Sequence, residues 1–264
     1  MPAPDLPPPP VQPVKERALA VHLLARLYKP EAFTGCVAIV VDALRASTTI
    51  ARALASGATR VHPTLTVDEA RALRARPDLR GAVLGGERGG VRIDGFDLGN
   101  SPTEYTPERV GGRPVIFTTT NGTAALLHAS RASRVLVGSL CNLSAVCAAV
   151  AGEPRPVHIL CAGTRDEISL DDCLPAGAMV ESLLASGRHL VADDSGQLCL
   201  RAWRGAAGGG EGGIVEAMKS SRGGRGLVAM GLGSDVEYCA TRDTTSVVPA
   251  YDAEHGAISA WSGA

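Results

Sequence analysis

Acids, arginines and hydroxyls gather at five places in this chain, and the first follows an apolar run. Asp42-Ala43-Leu44-Arg45-Ala46-Ser47-Thr48 comes directly after Cys36–Val41. A carboxylate at the end of a buried strand is placed to hold a divalent cation or to activate water. Arg45 can grip an oxyanion with two parallel donors. Ser47 and Thr48 fall where the start of a helix offers free N–H groups. The plainer reading makes Ser47 a cap and Asp42 a hydrogen-bonded turn residue. The second place, Gly85-Gly86-Glu87-Arg88-Gly89-Gly90, sets an acid and a base among glycines. Such glycines let a loop approach a ligand closely, or form a surface turn with a solvated ion pair.

The third is Gly95–Pro102, a polar stretch without helical or strand period, in which Asn100 and Ser101 are candidate ligand contacts. Turn chemistry would serve them equally well. In the fourth, Thr119, Thr120, Asn121, Gly122 and Thr123 run from a strand into a helix. Hydroxyls, an amide and unencumbered backbone at that junction make an anion cradle, whereas an ordinary cap needs one hydroxyl. The fifth is Cys161-Ala162-Gly163-Thr164, with Asp171-Asp172 beyond it. Paired aspartates at a helix start complete a Mg²⁺ site or simply favour the helix dipole. A Cys161 nucleophile is disfavoured. Its spacing to Arg165 is too short for the anion loop of a cysteine phosphatase, and its apolar neighbours raise its pKa.

Other chemistries are absent from the sequence. It has no G-x-x-x-x-G-K-[ST], H-E-x-x-H or G-x-S-x-G. The six histidines lie outside all five clusters, which disfavours histidine phosphoenzymes and Ser-His-Asp hydrolysis. Twenty-six basic residues against 27 acidic ones leave a net charge of −1, with only 3% aromatics. No field or stacking platform invites nucleic acid, and no apolar run suits a membrane span. The seven cysteines include no C-x-x-C pair. They read as reduced, buried thiols of a cytoplasmic protein without structural zinc.

Alternating elements must position these groups. Strands are predicted at Ala18–Leu24, Cys36–Val41, Ala82–Gly85, Pro114–Thr119, Val135–Gly138 and Val157–Ala162, with a last one at Thr245–Val248. Helices are predicted at Ser47–Ser56, from the capping box Thr66–Glu69 to about Arg76, at Gly122 to about Ser133, Asn142–Ala151 and Asp172–Ser186. Short helices follow at Gly223–Gly231 and Asp235–Thr241, while Gly205–Gly213 reads as a loop. Strands alternating with helices predict an α/β fold with a largely parallel sheet. Residues 1–17 read as a proline-rich tail and residues 18–264 as one domain.

The order of Val41-Asp42-Ala43-Leu44-Arg45-Ala46-Ser47, Gly85–Arg88, Gly95–Pro102, Thr119–Thr123 and Cys161–Thr164 resembles the 2-phosphosulfolactate phosphatase (ComB) family. The resemblance spans roughly Ala18 to Val248 and includes Asp235. The family usually has Val and Thr where this chain has Ala43 and Ser47, so a hydroxyl is kept at 47. The resemblance implies a three-layer α/β/α fold with a largely parallel or mixed sheet. It also implies a Mg²⁺-dependent phosphomonoesterase that converts 2-phosphosulfolactate to 3-sulfolactate on the route to coenzyme M.

Residues and resemblance together put Asp42, Arg45 and Glu87 in catalysis. Mg²⁺ falls to Asp42, Glu87 and one or both of Asp171 and Asp172. A small anionic substrate falls to Ser47, Thr48, Arg88, Asn100, Ser101, Thr119–Thr123, Cys161, Gly163 and Thr164. Attack by water and an acyl-phosphate on Asp42 both remain open, as do another small phosphorylated acid and a non-catalytic anion binder. A homodimer is the expected assembly.

Overall fold

The structure, a computed structural model, describes residues 16–191 and 194–263. The expected tail lies, but for its last two residues, outside the described residues. The chain enters through β1 (Ala18–His22) and β2 (Val37–Val41), both buried along their whole length. Continuous β-branched and small apolar runs of this kind suit a strand covered on two faces. Next come α1 (Ala46–Ala55), β3 (Val61–Pro63) and α2 (Val67–Arg74). The predicted capping box opens α2, with the Glu69 N–H donating to Thr66 Oγ1 at 3.1 Å and the Thr66 N–H to Glu69 Oε2 at 3.3 Å. Then follow β4 (Val83–Arg88), β5 (Val91–Arg92), α3 (Pro107–Val110), β6 (Val115–Thr118), α4 (Gly122–His128) and β7 (Arg134–Val137). The middle of the chain continues with α5 (Leu143–Ala151), β8 (Val157–Cys161), α6 (Leu170–Ala185) and β9 (His189–Leu190). The last part holds α7 (Asp194–Ala207), α8 (Gly210–Ser220), α9 (Arg222–Ala229), α10 (Gly233–Ala240), β10 (Pro249–Asp252) and β11 (Ala257–Ala260).

The strands form one sheet in the order β5-β4-β6-β3-β11-β10-β7-β2-β8-β1-β9. β9, β1, β8, β2 and β7 pair in parallel, as do β3, β6 and β4. The antiparallel hairpin β10–β11 joins the two groups, and β5 folds back on β4. The sheet is therefore mixed. Helices cover both faces, giving three layers. Val37, Ile39 and Val41 of β2 pack with residues of α5, α6, α7 and α8, while Ala38 and Val40 pack with α1 and α4. No helix among the described residues is long and apolar enough to cross a membrane.

Three expectations are corrected. Thr245–Val248 is not a strand; the final pairing starts at Pro249 and needs β11, whose short apolar run carries little sequence signal. Gly205–Gly213 is not a loop, since α7 runs to Ala207 and α8 starts at Gly210. A helical glycine costs about 1 kcal/mol relative to alanine. Burial of Leu200, Trp203, Ile214 and Met218 in the core outweighs that cost. Close approach also requires a glycine here, since a Cβ on Gly213 would lie 2.3 Å from the Ala206 carbonyl. α4 is also shorter than predicted, ending at His128.

Candidate active site

Loops after β2, β6 and β8, the end of β4 and the first turns of α9 enclose a cleft of about 390 Å³. Asp42, Arg45, Glu87, Asn100, Thr120, Asn121 and Thr164 line it, so the sequence-predicted clusters each contribute to one site. The first residues after β2 are locked by local bonds. The Asp42 N–H donates to Ser47 Oγ and the Ser47 N–H to the Asp42 carbonyl, both at 2.8 Å. Gly122, at the start of α4, backs onto the Asp42 carboxylate; a Cβ there would come 2.7 Å from Oδ2.

Glu87 is fixed by two backbone donors, Gly90 N–H to Oε2 at 2.6 Å and Thr120 N–H to Oε1 at 2.8 Å. Arg45 is buried and committed. Its Nη1 donates to Asp235 Oδ2 at 2.5 Å and its Nη2 to the Gly90 carbonyl at 2.9 Å. Ser101 holds the other Asp235 oxygen at 2.6 Å, so it serves the ion pair and does not line the cleft. Asn100 is buried on the cleft wall, and its Oδ1 has no partner among the described residues.

Asp171 and Asp172 stand in the first turn of α6, off the cleft wall. Asp172 ties two strand ends together by accepting the Ala43 N–H and the Gly163 N–H, each at 2.8 Å. Asp171 accepts from the Ser169 hydroxyl. Burial, reinforced by the Asp171 charge, raises the Asp42 carboxyl to about 7. Burial, then Asp171 and Asp42, hold Asp172 well above the usual carboxylate range, and burial raises Asp171. The site thus carries more buried negative charge than its one buried arginine offsets, and that arginine already faces Asp235.

A divalent cation suits that donor set. Among the described residues no three His, Cys, Asp or Glu side chains are grouped so as to hold a metal. Asp171 and Asp172 stand off the cleft wall, and Asp172, like Glu87, accepts a backbone N–H on each oxygen. Asp42 and Glu87 remain on the cleft wall, and Mg²⁺ commonly takes one or two carboxylates, with water and phosphate oxygens completing its octahedron.

Several predicted contacts fall elsewhere. Arg88 turns away and donates to the carbonyls of Glu87 and Leu65 and to Thr118 Oγ1, at 2.7, 2.8 and 2.8 Å. Thr48 bonds the Ala43 carbonyl and Ser139. Ser47, Thr119, Gly122 and Thr123 face a small apolar crevice beside Ile50 and Phe117. Cys161 is buried beside Cys173 and Cys199, and their proximity holds its thiol well above the ordinary value. Gly163 acts through its N–H to Asp172. Sequence reasoning missed Arg165, Arg222 and Arg225, which also line the cleft. Arg222-Gly223-Gly224-Arg225 is the inverse of Gly85–Gly90, with charges flanking glycines, and carried a similar signal.

The cleft thus sets two carboxylates, Asp42 and Glu87, among the arginines Arg45, Arg165, Arg222 and Arg225, at the strand ends of a layered α/β fold. Residues 23–254 match the 2-phosphosulpholactate phosphatase family. A probable 2-phosphosulfolactate phosphatase of Symbiobacterium thermophilum is 42% identical over 84% of this chain and 93% of its own. Proteins of the same name from Deinococcus radiodurans and Caldanaerobacter subterraneus are 42% and 39% identical, over 88% and 80% of this chain and 92% and 86% of theirs. The chain belongs to the 2-phosphosulfolactate phosphatase family.

Proposed function

We propose that this enzyme hydrolyses 2-phosphosulfolactate to 3-sulfolactate and phosphate with the help of Mg²⁺. The observation that carries the reading is the placement of Asp42 and Glu87 on one cleft wall with arginines lining the same cleft. The substrate is taken from the names of the relatives, and a step toward coenzyme M from the family resemblance. Asp42 and Glu87 would hold Mg²⁺, which neutralises phosphoryl charge and lowers the pKa of bound water. The chain's own part is orientation. Asp172 holds the backbone after β2 against the backbone after β8. Glu87 fixes Thr120 and the Gly90 turn. Thr120, Asn121 and Thr164 present polar side chains to a phosphoryl group in the cleft.

Phosphate release from racemic 2-phosphosulfolactate tests the proposal, with Mg²⁺ and with a chelator, beside phospholactate and 3-phosphoglycerate. Mg²⁺-dependent release with a preference for the sulfonate is expected. Turnover of the other acids alone would discard the substrate. No release from any of them would leave an anion-binding protein.

A further inference from the structure

The cleft is lined by two chemically unlike sets of groups. One set is Asp42 and Glu87, with the buried Asp171 and Asp172 close to Asp42. Arg165, in the loop after β8, and Arg222 and Arg225, three residues apart on α9, line the same space. Residues at that spacing share a helix face. Arg222 is paired with Glu167 of the loop that carries Arg165. Among the described residues Arg165 and Arg225 have no acidic partner. One Arg225 nitrogen donates to the Ser220 carbonyl, which steadies the side chain and leaves its other donors.

The two arginines that the sequence pattern points to cannot fill this role. Arg88 is turned onto carbonyls, and Arg45 is held by Asp235. A phosphosulfolactate carries three anionic groups. The phosphoryl group, the one that needs the cation, belongs beside Asp42 and Glu87. The remaining anions are repelled by that carboxylate set and need donors of their own. A sulfonate stays ionised throughout the working pH range and presents three oxygens, so it can accept from more than one guanidinium.

We propose that Arg225, with Arg165 and Arg222, forms the specificity subsite that receives the sulfonate of the substrate. This rests on the phosphatase reading above. Arg165 and Arg225 are exposed in the free enzyme, so their charge is available without prior loss of an acidic partner, whereas Arg222 would share its charge with Glu167.

The test compares kcat/KM on 2-phosphosulfolactate with kcat/KM on phospholactate, which lacks the sulfonate. In Arg225→Gln the ratio of the two should fall about tenfold or more, carried mainly by KM, and Arg225→Lys should regain part of it. Arg165→Gln should lower the ratio in the same direction. An unchanged ratio in both glutamine variants overturns the subsite. If the parent enzyme releases phosphate from neither acid, the phosphatase reading fails. The subsite is then decided by calorimetric titration with 3-sulfolactate, for which Arg225→Gln should bind about tenfold more weakly. Equal binding by parent and variant, or none by either, overturns it.

Discussion

Arg45 and Asp235, 190 residues apart in the chain, meet as a fully buried ion pair at 2.5 Å. The pair joins the loop after β2 to α10. Through the Gly90 carbonyl and Ser101 it also fixes the turn after β4 and the loop before α3. Removing one partner of a buried pair leaves an uncompensated charge and costs about 3–5 kcal/mol. Asp235→Asn is therefore expected to lose stability near the lower end of that range, because the amide keeps a hydrogen-bonding oxygen. Denaturant unfolding measures it. The double variant Arg45→Met, Asp235→Leu should lose less than the sum of its single changes. Additive losses would mean that the two side chains do not act as a pair.

Gly122 offers a sharper probe of the site. Alanine in its place should favour the helix on propensity, by less than the about 1 kcal/mol of a helix interior because Gly122 is the first residue of α4. Its Cβ, however, would come 2.7 Å from Asp42 Oδ2 and 2.8 Å from the Ala46 Cβ. Gly122→Ala is expected to lower kcat at least about tenfold, since a small displacement of a reacting group is costly, while giving no gain in melting temperature. A variant with full activity and higher stability would show that the contact with Asp42 is loose.

Much of this was legible in the sequence because polar groups at strand ends announce themselves. Asp42, Glu87, Thr120 and Thr164 each follow or close an apolar run, and each reaches the cleft. What the sequence hid was direction. Arg88 is adjacent to Glu87 in β4, and neighbouring strand residues point to opposite faces. Thr119 and Thr123 also face away from Thr120: one sequence cluster, running from the end of β6 into α4, serves both the cleft and the crevice beside it. Asp171 and Asp172 suggested ligands by type, yet neither lines the cleft. The hairpin β10–β11 and the short β3 and β5 gave too few residues for a period to register, and the glycines around α7–α8 masked a buried helical face.

The carboxylates predict a pH-dependent effect of Mg²⁺. The folded pKa values of Asp42, Asp171 and Asp172 are raised above ordinary carboxylate values. In the metal-free protein their contribution to stability is greatest below about pH 4, where they are protonated in both states. It is lost as pH rises through the folded values, for Asp42 through about 7. A cation that binds the ionised site only in the folded state restores it. Mg²⁺ should therefore raise the melting temperature more at pH 8 than at pH 5, and Asp42→Asn should abolish most of the difference. A Mg²⁺ shift of equal size at both pH values, or one retained in Asp42→Asn, would remove Asp42 from the ligand set.

His22 and His158, at the opposite end of the chemistry, predict the reverse slope. His22 Nε2 and His158 Nδ1 face each other at 3.2 Å, so one proton, not two, fits between them. Burial, with His158 and His128 adding to it, lowers His22 to about 3, and burial lowers His158 to about 4. Both folded values lie below the unfolded value near 6.5. Above that pH the pair is neutral in both states and has no pH effect. As pH falls below it, the unfolded chain takes up protons that the folded chain refuses, and stability declines until about pH 4 for His158 and about pH 3 for His22. His158→Gln removes one titrating ring and the crowding it imposes on His22. Its unfolding free energy should therefore fall less between pH 7 and pH 4.5 than that of the parent, by up to about 2 kcal/mol. Urea unfolding at the two pH values gives the comparison. Parallel losses in parent and variant would place the acid sensitivity elsewhere in the molecule.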